Sequence, residues 1–242
     1  MDIVIPLGKG SRWENNELRY TLRSIEKYIT GTSRLFIVGL CPDWLTGDFV
    51  HIPFEDSPGS EFRDLNIFSK ILAACSDQRL SSSFIYFSDD HYLLTRHNVS
   101  EYPYFFKGSL IDTVSRMSDR QPYRRVLENT VSLLSKKFCT VNDFQCHCPV
   151  VYDKNLFWGL KTAFGPELLI QHGFAIKSLY CNYYKIPGVP YTDLKIIEPL
   201  SFQQIAEALD NRAFFSIGNR SLSGGIKEFL QYLYPLKSKY EK

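Results

Sequence analysis

The chain has 242 residues, 44% hydrophobic and 15% aromatic, with a net charge of +2. This is enough apolar material for one large α/β core, and the balance lacks the charge excess that marks nucleic-acid or anionic-membrane binding. The start, Met1-Asp2-Ile3-Val4-Ile5, is too short and too acidic for a signal peptide, and no apolar run approaches the roughly 20 residues a membrane span needs. The expectation is a cytoplasmic protein whose six cysteines are reduced thiols.

Asp2 to Leu7 reads as a short buried strand closed by Gly8-Lys9-Gly10. Glu14-Asn15-Asn16-Glu17 has the composition of a helix start, with Asn as cap. Leu18, Leu22, Ile25 and Ile29 then share one helical face, and Gly31 is placed to end it. Leu35 to Gly39 and Phe49 to Pro53 read as further strands. Asp64 is a candidate cap for a second helix with Leu65, Phe68, Ile71, Leu72 and Cys75 as its apolar stripe. The strand Phe84-Ile85-Tyr86-Phe87 follows. This rhythm predicts a mostly parallel sheet flanked by helices, of the Rossmann type.

That last strand runs straight into Ser88-Asp89-Asp90-His91. Two adjacent carboxylates at the carboxyl edge of a parallel sheet lie where open α/β folds place ligands. Like charges this close oppose joint ionisation unless a cation joins them. A surface turn or cap is the bland alternative. Arg19 and Arg23, four apart, and Asn66 and Lys70, also four apart, are further candidates. Arg and Lys suit a diphosphate, and Asp64 and Asn66 suit a base or ribose.

Asn16-Glu17-Leu18-Arg19-Tyr20-Thr21-Leu22-Arg23-Ser24-Ile25-Glu26 resembles a segment of the Stealth family, which transfers hexose 1-phosphates to glycan acceptors. The similarity extends over residues 14 to 95. More broadly, strand-then-Asp-Asp is similar to the DxD region of GT-A glycosyltransferases, with Ser88 standing at the first position. The chain also looks like compact glycosyltransferases of bacterial polysaccharide loci and phage genomes. The resemblance implies a Mn²⁺ or Mg²⁺ ion on Asp89 and Asp90, bridging to a nucleotide sugar. It departs from Stealth where Pro6-Leu7-Gly8-Lys9-Gly10-Ser11 follows the first strand. Pro6 and Gly8, at that strand's carboxyl end, join the donor-binding candidates.

The second half carries Tyr102, Tyr104, Phe105 and Phe106, either a stacking surface or a packed loop. Arg116, Arg120 and Arg124 have helical spacing, although Pro122 opposes one unbroken helix. Cys146-His147-Cys148-Pro149 precedes an apolar strand and resembles the third Stealth region, which makes His147 a candidate third metal ligand. A structural zinc site is disfavoured because Cys-x-Cys lacks the usual spacing. Asp153 and Asp143 are the nearest candidates for a general base, which an inverting transferase needs and a retaining one does not. Asn219 and Arg220, in a Gly/Ser loop before the last helix, suit phosphate.

The reading is a single GT-A-like catalytic domain over residues 1–242. Residues 1–95 form its nucleotide-sugar half, and residues 96–242 form an acceptor half with a helical C-terminal portion. The expected activity is metal-dependent transfer from a UDP-sugar to a glycan or polysaccharide, with Asp90 and Asp153 catalytic and a modified DNA base also open as acceptor. Stealth-like sugar-1-phosphate transfer and non-catalytic nucleotide or glycan binding are the alternatives.

Overall fold

The computed structural model describes residues 1–242, the side chain of Ser60 excepted. In chain order the first half runs β1 (Asp2–Leu7), α1 (Asn16–Tyr28), β2 (Ile29–Thr30), β3 (Leu35–Gly39), β4 (Val50–Ile52), α2 (Arg63–Ser76) and β5 (Ser83–Tyr86). Then come β6 (His91–Leu93), β7 (His97–Asn98), β8 (Phe105–Phe106), α3 (Leu110–Arg116), α4 (Pro122–Ser135), β9 (Val150–Asp153), α5 (Lys154–Phe164) and α6 (Ile176–Tyr183). The chain continues through β10 (Val189–Pro190), β11 (Lys195–Ile196), α7 (Phe202–Ala208), β12 (Phe214–Ile217) and α8 (Gly224–Leu233).

The central sheet has the order β4-β3-β1-β5-β9. Its first four strands are parallel, as expected, while β9 pairs antiparallel with β5. The alternation of side chains along a strand assigns the two faces. Ile3, Ile5 and Leu7 of β1 meet Leu18, Leu22 and Ile25 of α1 in one core. Val4, with Phe36, Phe84 and Tyr86, packs in the other against Phe68 and Ile71 of α2 and against α4 to α6. Because both faces are covered, all six residues of β1 are buried, and the strand is a continuous apolar run apart from Asp2. Leu18 and Leu22 are essentially inaccessible, so truncating either to Ala costs about 2–5 kcal/mol.

The C-terminal portion is not purely helical. A second sheet, β11-β12-β6, carries it, with β12 parallel to β11 and antiparallel to β6. Phe215 and Ile217 pack under α7 and α8 with Ile205, Ile226 and Leu230, in a third core that includes Tyr20 of α1. Phe214 faces the α1 core instead.

Several local expectations change. Ile29 leaves the helix to pair with His97 in a short β2–β7 ladder. Asn15 holds the cap position of α1 without a side-chain hydrogen bond; the Ser11 hydroxyl accepts from the amides of Trp13 and Asn15 and donates to Glu17. Asp64 lies inside the first turn of α2, which begins at Arg63. Arg116 and Arg124 fall on different helices, since Pro122 opens α4, and the basic stripe does not form. The aromatic cluster is packed: Phe105 meets Tyr191 and Phe214, and Phe106 meets Phe144.

Glu241 fixes α1 to the opposite end of the chain. Its carboxylate accepts from Arg23 at 2.7 Å twice and from Arg19 at 3.0 Å. Burial alone would raise its pKa, but hydrogen bonds from Arg23, the Ser238 amide and Arg19 prevail and bring it from 4.5 to about 2. The folded state therefore keeps a charge that the unfolded chain has already neutralised. The resulting stability is present above pH 4.5 and disappears as pH falls through about 2. We expect Glu241→Gln to melt below the wild type at pH 6, with the gap closing between pH 4.5 and 2 in calorimetry.

Candidate functional site

The turn Ser88-Asp89-Asp90 leaves β5 at the carboxyl edge of the parallel sheet. The Phe87 amide donates to the Val4 carbonyl at 3.0 Å, so the turn emerges beside the end of β1, near Pro6 and Gly8. Helix α1 anchors it from below: the Thr21 hydroxyl donates to the Asp89 carbonyl at 2.7 Å. Glu17, Thr21 and Ser24 are buried at spacings of four and three and form the polar part of the helix's inward face. Arg19 and Arg23 lie about 160° around the helix from Thr21.

Asp90 is the better-partnered carboxylate of the adjacent pair. Its Oδ2 accepts from Ser216 Oγ at 2.7 Å and from Lys195 Nζ at 3.2 Å. Both partners come from the second sheet. In β12 the period of two turns Ser216 away from Phe215 and Ile217, toward the acidic turn. Burial would raise the Asp90 carboxyl, but the Lys195 charge and the Ser216 hydrogen bond hold it well below the usual carboxylate range. Asp89 goes the other way. Burial, then repulsion from Asp90 and Glu17, lifts it above the usual carboxylate range. One carboxylate thus stays charged while its neighbour is driven toward its neutral form.

Next to this pair stands His147, in the turn before β9. Asp193 Oδ2 receives the His147 backbone amide at 2.6 Å and contacts Nδ1 of the ring at 2.5 Å. Lys107 approaches the other Asp193 oxygen at 3.5 Å. Burial lowers the His147 pKa, and the Asp193 hydrogen bond only partly offsets this. The ring is therefore neutral near pH 7. Its Nδ1–H donates to Asp193, which leaves Nε2 as an acceptor. His91 is turned inward; its Nδ1 accepts from the Ser88 amide at 3.1 Å, and burial holds it neutral.

Of the candidates read from the sequence, Asp89, Asp90 and His147 come together at this rim, with Pro6 and Gly8 adjoining. Asp64 remains half-buried, shares the surroundings of Tyr86 with the acidic pair, and is raised by burial to about 6. Asn219 and Arg220 follow β12 directly and are exposed, with Arg220 paired to Glu198 at 2.5 Å. The other five are engaged elsewhere. Arg19 and Arg23 are spent on Glu241, with Arg19 also over the Trp44 ring. The Asn66 amide closes both its bonds on the Ser57 backbone at 3.0 Å. Lys70, 3% exposed, ties the Leu7 carbonyl at 2.8 Å and Asp56 at 2.6 Å. Asp153 caps α5, accepting from the amides of Asn155 and Leu156. Because β9 is antiparallel, Asp153 pairs with Ser83 at the amino end of β5, about 20 Å of extended chain from Asp89. Asp143 is likewise structural, accepting from the Thr113 hydroxyl and the Gln145 amide.

The divalent ion implied by the sequence resemblance does not fit this donor set. Among the described residues, no three His, Cys, Asp or Glu side chains converge on a point where they could hold a metal ion. Ser88 supplies a hydroxyl, not a carboxylate, and shares it with the Tyr86 phenol at 2.9 Å. Asp193, Lys195, Ser216 and Lys107 were missed by sequence reasoning. A Thr-Asp-Leu-Lys stretch between two prolines carries no motif, and only its fold makes it part of a site.

No family model matches the chain, and no curated protein matches it in sequence. Among solved structures it is similar to the galactosyltransferase LgtC in complex with donor and acceptor sugar analogs. That likeness covers 100% of this chain and 98% of the other, at 10% identity and a TM-score of 0.51. An active-site mutant of LgtC (TM-score 0.49, 10% identity, 100% and 98% covered) and mouse xyloside xylosyltransferase 1 in its apo form (0.34, 10% identity, 91% and 96%) also match. The architecture is a mixed α/β one, with a mostly parallel central sheet flanked by helices, and matches the GT-A glycosyltransferase fold.

Nitrogen chemical shifts of the His147 ring should report the Nδ1–H tautomer at pH 7.5 in the wild type. In Asp193→Ala the preference should vanish, giving a mixture of tautomers.

Proposed function

We propose that the protein is a glycosyltransferase that moves a sugar from a nucleotide-sugar donor to a hydroxyl acceptor at the Asp89–Asp90 rim. The observation that carries this reading is the rim itself. Asp89, Asp90, His147, Asp193 and Lys195 gather half-buried titratable groups at the carboxyl edge of a parallel sheet, where such folds take ligands. The fold shared with a galactosyltransferase that binds donor and acceptor sugar analogs supports the same reading.

In this reading the nucleotide lies along the ends of β1 and β5, between Gly8 and Asp64, with the diphosphate toward Lys195. A UDP-sugar donor and a glycan or polysaccharide acceptor are the favoured pair. The acceptor hydroxyl hydrogen-bonds to Nε2 of His147, which takes the proton as the hydroxyl oxygen bonds to the anomeric carbon. The bond from that carbon to the phosphate oxygen breaks, and its electron pair stays on the departing diphosphate. Asp193 holds the imidazole in the accepting tautomer and steadies the charge it gains. Asp90 serves as the fixed anchor of Lys195, not as a base, since its own carboxyl is held low. Mn²⁺ or Mg²⁺, expected from the sequence, enters no step here.

The test is a panel of nucleotide sugars with simple glycosides as acceptors, the released nucleotide being identified by mass. A nucleoside diphosphate is expected. Release of the monophosphate would replace this reading with Stealth-like sugar-phosphate transfer, and binding without turnover would leave a nucleotide-binding protein. Asp90→Asn should lower kcat by about 100-fold or more, because it releases Lys195 from its anchor. Asp153→Ala should keep kcat within about twofold and lose only the α5 cap, about 0.5–2 kcal/mol of stability in denaturant titration.

A further inference from the structure

The disagreement between the acidic rim and a divalent ion has a specific cause. Oδ2 of Asp90 is occupied by the Lys195 ammonium and the Ser216 hydroxyl, at 3.2 and 2.7 Å, which sets a fixed ammonium against this carboxylate. A dication there would stand against a fixed positive charge, while the partner carboxylate of a DxD pair is replaced by Ser88, already engaged by Tyr86. Lys195 itself is held but not consumed. An ammonium has three donors, of which Asp90 takes one, and the Lys195 side chain remains 26% exposed. A second ammonium, Lys107, stands 3.5 Å from Asp193, the partner of His147, and is 28% exposed. Both lie close enough for their charges to act on the His147 ring. The rim therefore presents two partly accessible ammonium groups, each positioned by a carboxylate, in the surroundings of the His147 ring.

We propose that Lys195, assisted by Lys107, supplies the positive charge that binds the donor diphosphate and stabilises its departure, so that this transferase works without a divalent ion. This rests on the glycosyltransferase reading. The transfer step is the one written above. The electron pair of the broken carbon–oxygen bond settles on the terminal phosphate of the nucleoside diphosphate, and the two ammonium groups, not a metal, lie against that growing charge. An ammonium held in place before the substrate arrives gives up little solvation or freedom at the moment of reaction. The arrangement also assigns Ser216 a positioning role, since its hydroxyl fixes the Asp90 oxygen that in turn holds Lys195.

The experiment is calorimetric titration of the full chain with UDP, GDP, CDP, ADP and TDP, each in EDTA and in MnCl₂, followed by titration with Mn²⁺ alone. At least one nucleoside diphosphate should bind with the same Kd in both buffers, and Mn²⁺ alone should give no saturable heat. Lys195→Ala should weaken that nucleotide by about tenfold or more in either buffer, and Lys195→Arg should recover part of the loss. Binding that needs Mn²⁺, or a saturable Mn²⁺ site, would overturn the metal-free inference and leave the transferase reading standing. A Lys195→Ala protein of unchanged melting temperature and unchanged nucleotide affinity would also overturn it. If neither buffer supports binding of any diphosphate, the transferase reading falls and takes this inference with it. Should Lys195→Ala fail to fold, the wild-type comparison between EDTA and MnCl₂ decides alone.

Discussion

One carboxylate oxygen joins the two halves of this molecule. Oδ2 of Asp90, at the end of the first-half sheet, receives Lys195 and Ser216, which lie 105 and 126 residues further along the chain. A hydrogen bond to a charged group contributes about 1.5–3 kcal/mol, and removing one partner of a buried charge costs more than the bond itself. The β11-β12-β6 sheet must therefore keep its register on the Asp90 turn. That register places the loop after β12 beside the rim and sets the third core over α1. Thr21 completes the frame from the helix side by fixing the Asp89 carbonyl.

The opposite behaviour of two adjacent carboxylates follows from this frame. Asp90 has an ammonium and a hydroxyl and stays charged, whereas Asp89 faces Asp90 and Glu17 and is driven toward its neutral form. Burial acts on both, so the partners decide. The same logic governs the His147–Asp193 pair, where a carboxylate fixes a tautomer that burial then keeps uncharged. The rim is organised by ion pairs that the protein makes with itself.

The parallel strands were legible because each is an apolar run bounded by glycine, proline or acidic residues, and α1 was legible from its period. The polarity of β9 was not. Residue pattern along a strand carries no sign for its direction, and this alone moved Asp153 to the wrong edge of the sheet. Spacing showed that Arg19 and Arg23 share a face of α1 but not which face. The inward polar set Glu17, Thr21 and Ser24 has the same kind of spacing and was passed over because buried polar residues look like surface ones in a sequence. Asp193, Lys195 and Ser216 owe their roles to contacts across more than 45 residues, and no local signal carries those.

The second sheet is small: β11 has two residues, β6 three and β12 four. It nevertheless holds both groups that partner Asp90, so the rim is only as durable as this minor element. What holds it in place is the third core: Phe215 and Ile217 on either side of Ser216 are buried with Ile205, Ile226 and Leu230, and Ser216 itself is fully inaccessible. A cavity opened under α7 or α8 would therefore reach the Asp90 turn through β12, although Phe215 and Ile217 themselves face away from that turn.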